Sequence, residues 1–195
     1  MTVRLALALF ALGLAATAPQ PAWALSEAQT SIDTRGERIL RAPDGREIPV
    51  FVWAAAEEQA VVVFSHGLGA EPRAYDTLLS RWAEAGFTVV APMHIDSRRH
   101  PGGGQVSGGQ AFGARITDLA IVRATVKTEH AGRPLIVAGH SFGSLMSVIQ
   151  GGAITAAGPM GDPDVTAIIA ISSAGDLPGL VTPQTYASLA TPLLV

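Results

Sequence analysis

The sequence predicts an α/β fold in which a mostly parallel sheet is covered by helices on both faces. Short apolar runs suit strands that are buried on both faces, and the stretches between them show helical spacing of apolar residues. The runs and the stretches alternate along the chain, which is typical of parallel strands joined by right-handed crossover helices. An early turn signal adds one hairpin to this arrangement.

The hairpin comes first along the chain. Residues 39–42 and 47–53 flank Pro43-Asp44-Gly45, a turn in which proline presets φ and glycine accepts a positive φ. We place this hairpin at a sheet edge, where Pro49 costs little because an edge strand tolerates a missing N–H. The apolar run at residues 60–64 then predicts a buried strand.

The remaining elements follow in alternation. A helix is predicted between Pro72 and Gly86, because Tyr75, Leu78, Leu79 and Trp82 form one apolar stripe. Further strands are predicted at residues 87–91, 134–138 and 165–171. Further helices are predicted at 110–129, with Phe112, Ile116, Leu119 and Ala120 on one face, and from Phe142 to about Ile154. A last strand begins at Pro192 and stops at Val195, so we expect the final strands of the fold to be missing from this chain.

The N-terminal segment 1–24 is predicted to be a secretory signal peptide, which leaves residues 25–195 as a partial domain. It has one early arginine, an apolar stretch at residues 5–16 and an A-x-A cleavage signal at Ala22-Trp23-Ala24. The alternative is an uncleaved N-terminal anchor, although the apolar stretch is short for a membrane span. We therefore expect a secreted or periplasmic protein.

The composition excludes several classes of partner. The chain is 48% hydrophobic and only 15% charged, and part of this apolar excess belongs to the signal peptide. Residues 1–24 hold one arginine and no acidic residue, so their removal changes the net charge from −3 to −4. Nucleic acid is therefore an unexpected partner, and no later run is long enough to span a membrane. Without cysteine, stability depends on a core and not on disulfides. The oligomeric state stays open.

A candidate nucleophile lies in Gly139-His140-Ser141-Phe142-Gly143, a G-x-S-x-G pattern between a predicted strand and a predicted helix. This is where a nucleophile elbow lifts a serine hydroxyl above the sheet. Gly139 and Gly143 lack side chains, so that the strand and the helix can approach each other. The alternative is a glycine-rich turn with an idle serine.

A candidate oxyanion loop follows the strand at residues 60–64, in Ser65-His66-Gly67-Leu68-Gly69. The backbone N–H groups of Leu68 and Phe142 are predicted to hold an oxyanion, with His66 and Gly67 supporting the loop. The alternative is a simple glycine turn. In either case we expect His66 to be structural and not the catalytic base.

The pairing of VVVFSHGLG with LIVAGHSFGS resembles the α/β-hydrolase superfamily over residues 37–195. The nearest branch is that of dienelactone-hydrolase-like esterases related to platelet-activating-factor acetylhydrolase, which share an R-x-x-D, here Arg115 to Asp118. Ser144 stands where many relatives have glycine. The resemblance implies an α/β-hydrolase fold and a serine hydrolase that cleaves small-molecule or polymeric carboxylic esters, or a related acyl bond, and the predicted signal peptide implies that this hydrolase is exported. It implies an acyl-enzyme on Ser141, with no cofactor.

The acid and the histidine of the triad are the difficulty. The resemblance implies the chain order serine, acid, histidine, yet all five histidines precede Ser141. The positions at which the family usually carries the catalytic acid and the catalytic histidine lie beyond Val195. Asp176 is a candidate acid, and the alternative is a turn aspartate before Pro178. The second hypothesis is accordingly a non-catalytic hydrolase-like domain or an inactive fragment.

The only cluster of histidine and aspartate, His94-Ile95-Asp96 with His100, follows the strand at residues 87–91. Its spacing lacks the helical or paired pattern of a metal site, so we predict no metal. We interpret the cluster as the lining of a substrate loop.

Overall fold

The computed structural model describes residues 36–103, 106–156, 158–173, 175, 181–187 and 189–195. The predicted signal peptide and Asp176 lie outside these residues. The described strands are β1 (Glu37–Arg41), β2 (Glu47–Trp53), β3 (Ala60–Ser65), β4 (Phe87–Pro92), β5 (Leu135–His140), β6 (Ile154–Thr155), β7 (Gly158–Pro159), β8 (Val165–Ile171) and β9 (Leu193–Leu194). The described helices are α1 (Asp76–Glu84), preceded by a 3₁₀ turn at Pro72–Tyr75, α2 (Gly108–Glu129), α3 (Phe142–Gln150) and α4 (Pro183–Ala187).

Seven strands form one sheet in the order β1-β2-β4-β3-β5-β8-β9. Within this sheet the run β4-β3-β5-β8-β9 pairs in parallel, whereas the β1–β2 hairpin joins β4 in the antiparallel sense. The predicted mostly parallel sheet and its edge hairpin are therefore confirmed. Pro49 pairs with Ile39 of the edge strand β1. It has no paired residue in β4, because the pairing of β2 with β4 begins at Val50.

Helices cover both faces of the sheet, as the class requires. Alternate residues of β3 separate the core into two clusters, with Val61 and Val63 in one and Val62 and Phe64 in the other. The first cluster includes buried apolar side chains of α2 and α3, and the second includes Leu79 of α1. β3 is buried along its whole length, which explains its uninterrupted apolar sequence.

Two helix predictions need correction. α3 ends at Gln150 and not near Ile154, which lies instead in the two-residue ribbon of β6 and β7. The cause is a glycine pair, because Gly152 has φ = 111°, which L-residues rarely adopt. On α2, Ala120 is exposed and does not share the buried face with Leu119.

The buried face of α2 carries charged side chains together with apolar ones. Arg115, Asp118 and Arg123 are all buried there. This mixture explains why a purely apolar periodicity misplaces the face. Within the described residues, no helix is long and apolar enough to cross a membrane.

Candidate active site

Ser141 lies at the junction of β5 and α3 and has an unusual backbone conformation, with φ = 53° and ψ = −117°. A positive φ is uncommon for a residue other than glycine and stores strain. Several contacts hold the residue in place. Its N–H donates to Ile171 O of β8 at 2.9 Å, and its carbonyl accepts from Ser144 N–H at 2.9 Å and Ser144 Oγ at 2.7 Å.

The two glycines of the motif permit a very close approach. A Cβ added to Gly143 would lie 1.9 Å from Ser65 O, and one added to Gly139 would lie 2.3 Å from the backbone of Gly143. No side chain fits at either position. The start of α3 therefore packs directly against the end of β3, where the candidate oxyanion loop begins.

Three backbone N–H groups of the loop after β3 are bound within the protein. Gly67 N–H donates to Tyr75 Oη at 3.1 Å, Gly69 N–H to Asp96 Oδ2 at 3.0 Å, and Ala70 N–H to Gly67 O at 3.1 Å. Among the described residues, the Leu68 N–H has no acceptor, and neither has the Phe142 N–H. These two groups are the predicted oxyanion donors, and neither is used in a hydrogen bond to another described residue.

Tyr75 joins the loop to the elbow. Its hydroxyl accepts from Gly67 N–H and lies 2.9 Å from His140 Nδ1, so it bridges the residue before Leu68 and the residue before Ser141. Sequence reasoning placed Tyr75 on an apolar helical stripe and missed this role. The available signal was chemical, because a tyrosine hydroxyl that leaves solvent needs a hydrogen-bond partner.

His66 is fully buried and bound through both ring nitrogens. Its Nδ1 donates to Gly67 O at 2.8 Å, and its Nε2 accepts from His94 N–H at 3.0 Å. Burial lowers its pKa well below the usual value, and the neighbouring His94 and Arg115 lower it further. His66 is thus a neutral strap in the loop, and neither nitrogen is left for a reacting proton.

The interpretation of this cluster as the lining of a substrate loop is corrected for His94 and Asp96, which bind other protein groups, whereas His100 also lines a small cavity. All three side chains are buried. Asp96 forms an ion pair with Arg115 at 2.7 Å, and His100 Nε2 lies 3.2 Å from Glu47 O. His94 and Asp96 follow β4 and bind the loop after β3, because the His94 N–H donates to His66 and Asp96 accepts from the Gly69 N–H.

A serine, a histidine and an aspartate come together in this buried region, although none of them is Ser141. Ser65 Oγ lies 3.0 Å from His94 Nε2, and His94 Nδ1 lies 2.8 Å from Asp118 Oδ2. All three side chains are inaccessible to solvent, and Ser65 Oγ also accepts from Arg115 at 3.1 Å. The arrangement resembles a catalytic triad in its contacts but offers no room for a substrate.

None of the five histidines, all of which lie within the described residues, forms a hydrogen bond with Ser141. His130 pairs with Glu58, His140 lies against Tyr75, and the other three are bound as above. The Ser141 hydroxyl has no hydrogen-bond partner among the described residues. The part of the chain that the structure describes therefore supplies a strained serine with an unbound hydroxyl and the unbound N–H groups of Leu68 and Phe142, but no general base in contact with that hydroxyl.

Comparison with known proteins places this site in context. The family model described as "Serine aminopeptidase, S33" matches residues 56–194. A "Monoglyceride lipase homolog" of Monkeypox virus is 30% identical over 91 residues, which are 47% of this chain and 32% of that protein. The chain therefore spans about a third of the length of this curated relative.

Solved structures share the fold at low sequence identity. An esterase of Pyrococcus furiosus superposes with a TM-score of 0.61 at 14% identity, over 80% of this chain and 66% of that one. An alpha-beta serine hydrolase homologue of Coxiella burnetii gives a TM-score of 0.56 at 19% identity, over 84% and 74% of the two chains. These similarities confirm the predicted fold class, while the predicted branch within the superfamily stays a prediction.

Proposed function

Because the chain belongs to the serine aminopeptidase S33 family of α/β hydrolases, we propose that it is an exported serine hydrolase that forms an acyl-enzyme on Ser141. The observation that carries the proposal is the strained backbone of Ser141 at the strand-to-helix elbow, together with a hydroxyl that has no hydrogen-bond partner among the described residues. Carboxylic esters are the proposed substrates, since the similar proteins include a lipase homologue and an esterase.

The proposed chemistry proceeds in two halves. Ser141 Oγ attacks the ester carbonyl carbon while a base takes its proton, and the carbonyl oxygen becomes an oxyanion. The alkoxy group then leaves with a proton as an alcohol, and the acyl group remains as an ester on Ser141. Water attacks this ester, the carboxylic acid is released, and the Ser141 hydroxyl is restored.

The Leu68 and Phe142 N–H groups stabilise the oxyanion in this proposal. Each such donor contributes about 2.7–4 kcal/mol to transition-state stabilisation in other acyl-transfer enzymes. The position of Phe142 at the N-terminus of α3 adds to the effect, because the helix dipole favours negative charge there.

The labelling test supplies the base from solution, because the five histidines are bound elsewhere. We expect a fluorophosphonate probe with added imidazole to modify Ser141, and peptide mass spectrometry to find the adduct there and not on the buried Ser65. Ser141→Ala should abolish the adduct. Ser172→Ala is a matched control, because Ser172 is exposed and also has a positive φ, of 50°.

Two outcomes would contradict this assignment. Equal labelling of the wild type and Ser141→Ala would exclude Ser141 as the nucleophile. No labelling at any imidazole concentration would favour the alternative of a non-catalytic hydrolase-like domain.

Export is tested separately by the N-terminus of the protein recovered outside the cytoplasm, which we expect to be Leu25.

A further inference from the structure

Arg115 of α2 is completely buried and uses its whole guanidinium group on the candidate oxyanion loop and its anchor. Nε and Nη2 donate to the two carboxylate oxygens of Asp96 at 2.8 and 2.7 Å. Nη1 donates to His66 O at 2.6 Å, and Nη2 approaches Gly67 O at 3.2 Å. The Arg115 side chain thus donates hydrogen bonds to the two consecutive carbonyl groups directly before Leu68.

Asp96 holds the other side of Leu68. While one of its oxygens faces Arg115 Nε, the other accepts from both Arg115 Nη2 and Gly69 N–H. Burial alone would raise the pKa of Asp96, but the hydrogen bonds and charge of Arg115 outweigh it, so the pKa falls to about 2. The carboxylate is therefore ionised at neutral pH and neutralises the buried guanidinium.

The same guanidinium also reaches the elbow. Arg115 Cζ lies 4.7 Å from the centre of the Phe142 ring, in a cation–π contact. The N–H of Phe142 is one of the two free donors, and the Leu68 N–H is the other. Arg115 therefore touches the residue that carries one donor and the backbone that carries the other.

We propose that Arg115, anchored by Asp96, is a positioning residue that fixes the oxyanion loop and the elbow relative to each other. Its planar guanidinium group holds the carbonyls of His66 and Gly67. Because the Gly67 carbonyl shares a planar peptide group with the Leu68 N–H, this contact also fixes the direction of that N–H. A lysine has the charge but presents no bidentate fork. This role deepens the proposed function of Ser141 and rests on it.

The test compares two arginines of the same helix. Arg115→Lys and Arg123→Lys each keep a positive charge and remove a buried guanidinium group. Arg123 is the control, because it donates to Asp162 and Gln150 and forms no hydrogen bond with the oxyanion loop. We expect Arg115→Lys to slow imidazole-supported labelling of Ser141 by about 10–100-fold, a part of the loss of about 100–1000-fold seen for a missing oxyanion donor. Arg123→Lys should stay within about twofold of the wild type.

Amide hydrogen exchange gives a second readout that does not depend on labelling. We expect the Gly67 and Gly69 amides to exchange faster in Arg115→Lys than in Arg123→Lys at equal global stability. If Arg115→Lys does not fold, Asp96→Asn takes its place, because it removes the charge of the anchor at nearly constant shape. We expect the same faster exchange at Gly67 and Gly69 in that variant.

The two proposals fail in different ways. Unchanged exchange at the loop in both Arg115→Lys and Asp96→Asn would overturn the positioning role, whatever happens to labelling. A wild-type protein whose Ser141 is never labelled would overturn the proposed function, even where the loop loosens as expected. Equal slowing of labelling by Arg115→Lys and Arg123→Lys would also overturn the positioning role, because it would reflect general destabilisation.

Discussion

Ser141 keeps its strained backbone conformation because its surroundings leave it no other. The N–H is held by the neighbouring strand β8, and the carbonyl is held by two donors of Ser144. Ser144 therefore adds a hydrogen bond at a position where the resemblance suggests glycine. Conformations of this kind cost on the order of 1–3 kcal/mol and persist only where the rest of the fold enforces them.

Replacement of Ser141 by glycine tests this strain. We expect Ser141→Gly to be more stable than Ser141→Ala by about 1 kcal/mol, because glycine adopts a positive φ without a Cβ clash. Both variants remove the hydroxyl, so the comparison isolates the backbone. Urea unfolding at neutral pH measures the difference, and equal free energies of unfolding would show that the conformation at Ser141 is not strained.

The sequence identifies the residues whose roles are local and misses those whose roles depend on distant contacts. Gly139, Ser141 and Gly143 follow from the pattern, because one turn sets all their requirements. Asp96 and Arg115 are 19 residues apart, and Tyr75 and His140 are 65 apart. Periodicity on α1 and α2 describes only which face is buried, so it assigned Tyr75 to packing and gave Arg115 no partner.

Among the elements, the contact between α3 and β3 determines the geometry of the candidate site. The apolar runs predict the strands well because burial on both faces leaves only apolar side chains in them. The end of α3 is predicted less well. The apolar periodicity continues through Ile154, whereas the helix ends before Gly151 and Gly152. Gly151 has a second constraint, since an added Cβ would lie 2.1 Å from Ile168 Cδ1.

A methyl group at Gly143 tests this element contact. We expect Gly143→Ala to lower the free energy of unfolding by about 3 kcal/mol or more, because its Cβ would overlap Ser65 O and α3 would have to move away from β3. Labelling of Ser141 should fall as well. Gly113→Ala on α2 is the matched control, because nothing lies within 4 Å of its added Cβ.

The control should change stability in the opposite direction. A helical glycine replaced by alanine without a clash gains about 0.4–1 kcal/mol. Denaturant titration of both variants measures the contrast. A Gly143→Ala protein as stable as the wild type would contradict the close packing of the elbow on the oxyanion loop.

Across the whole molecule, buried polar groups form one network between the hairpin turn and the candidate site. Arg46 at the hairpin donates to Asp118 at 2.6 Å, and Asp118 meets His94. His94 and Arg115 then share Ser65 Oγ. The fold therefore depends on both the protonation state and the packing of side chains that come from four separate segments of the chain.

His66 and His94, which are both completely buried, make global stability depend on pH. Burial lowers the pKa of both His66 and His94 well below the usual value, and the charge of Arg115 adds to the effect. Below about pH 6.5 the unfolded chain therefore binds protons that the folded chain does not, so stability falls as the pH is lowered. Each histidine contributes a slope of at most about 1.4 kcal/mol per pH unit.

We expect the free energy of unfolding to decrease between pH 7 and pH 5, with a slope that grows from about half a proton at pH 7 toward about two protons near pH 5. Asp96 does not contribute in this window, because its pKa of about 2 and its unfolded value both lie below it. Asp118 works in the opposite direction, since burial raises its pKa above the usual value despite Arg46, and its ionisation then favours unfolding as the pH rises.

His94→Asn keeps a donor for Asp118 but does not titrate, so it should remove about one proton from the slope. Urea unfolding at several pH values measures both slopes, and a flat profile in the wild type would contradict neutral burial of the two histidines.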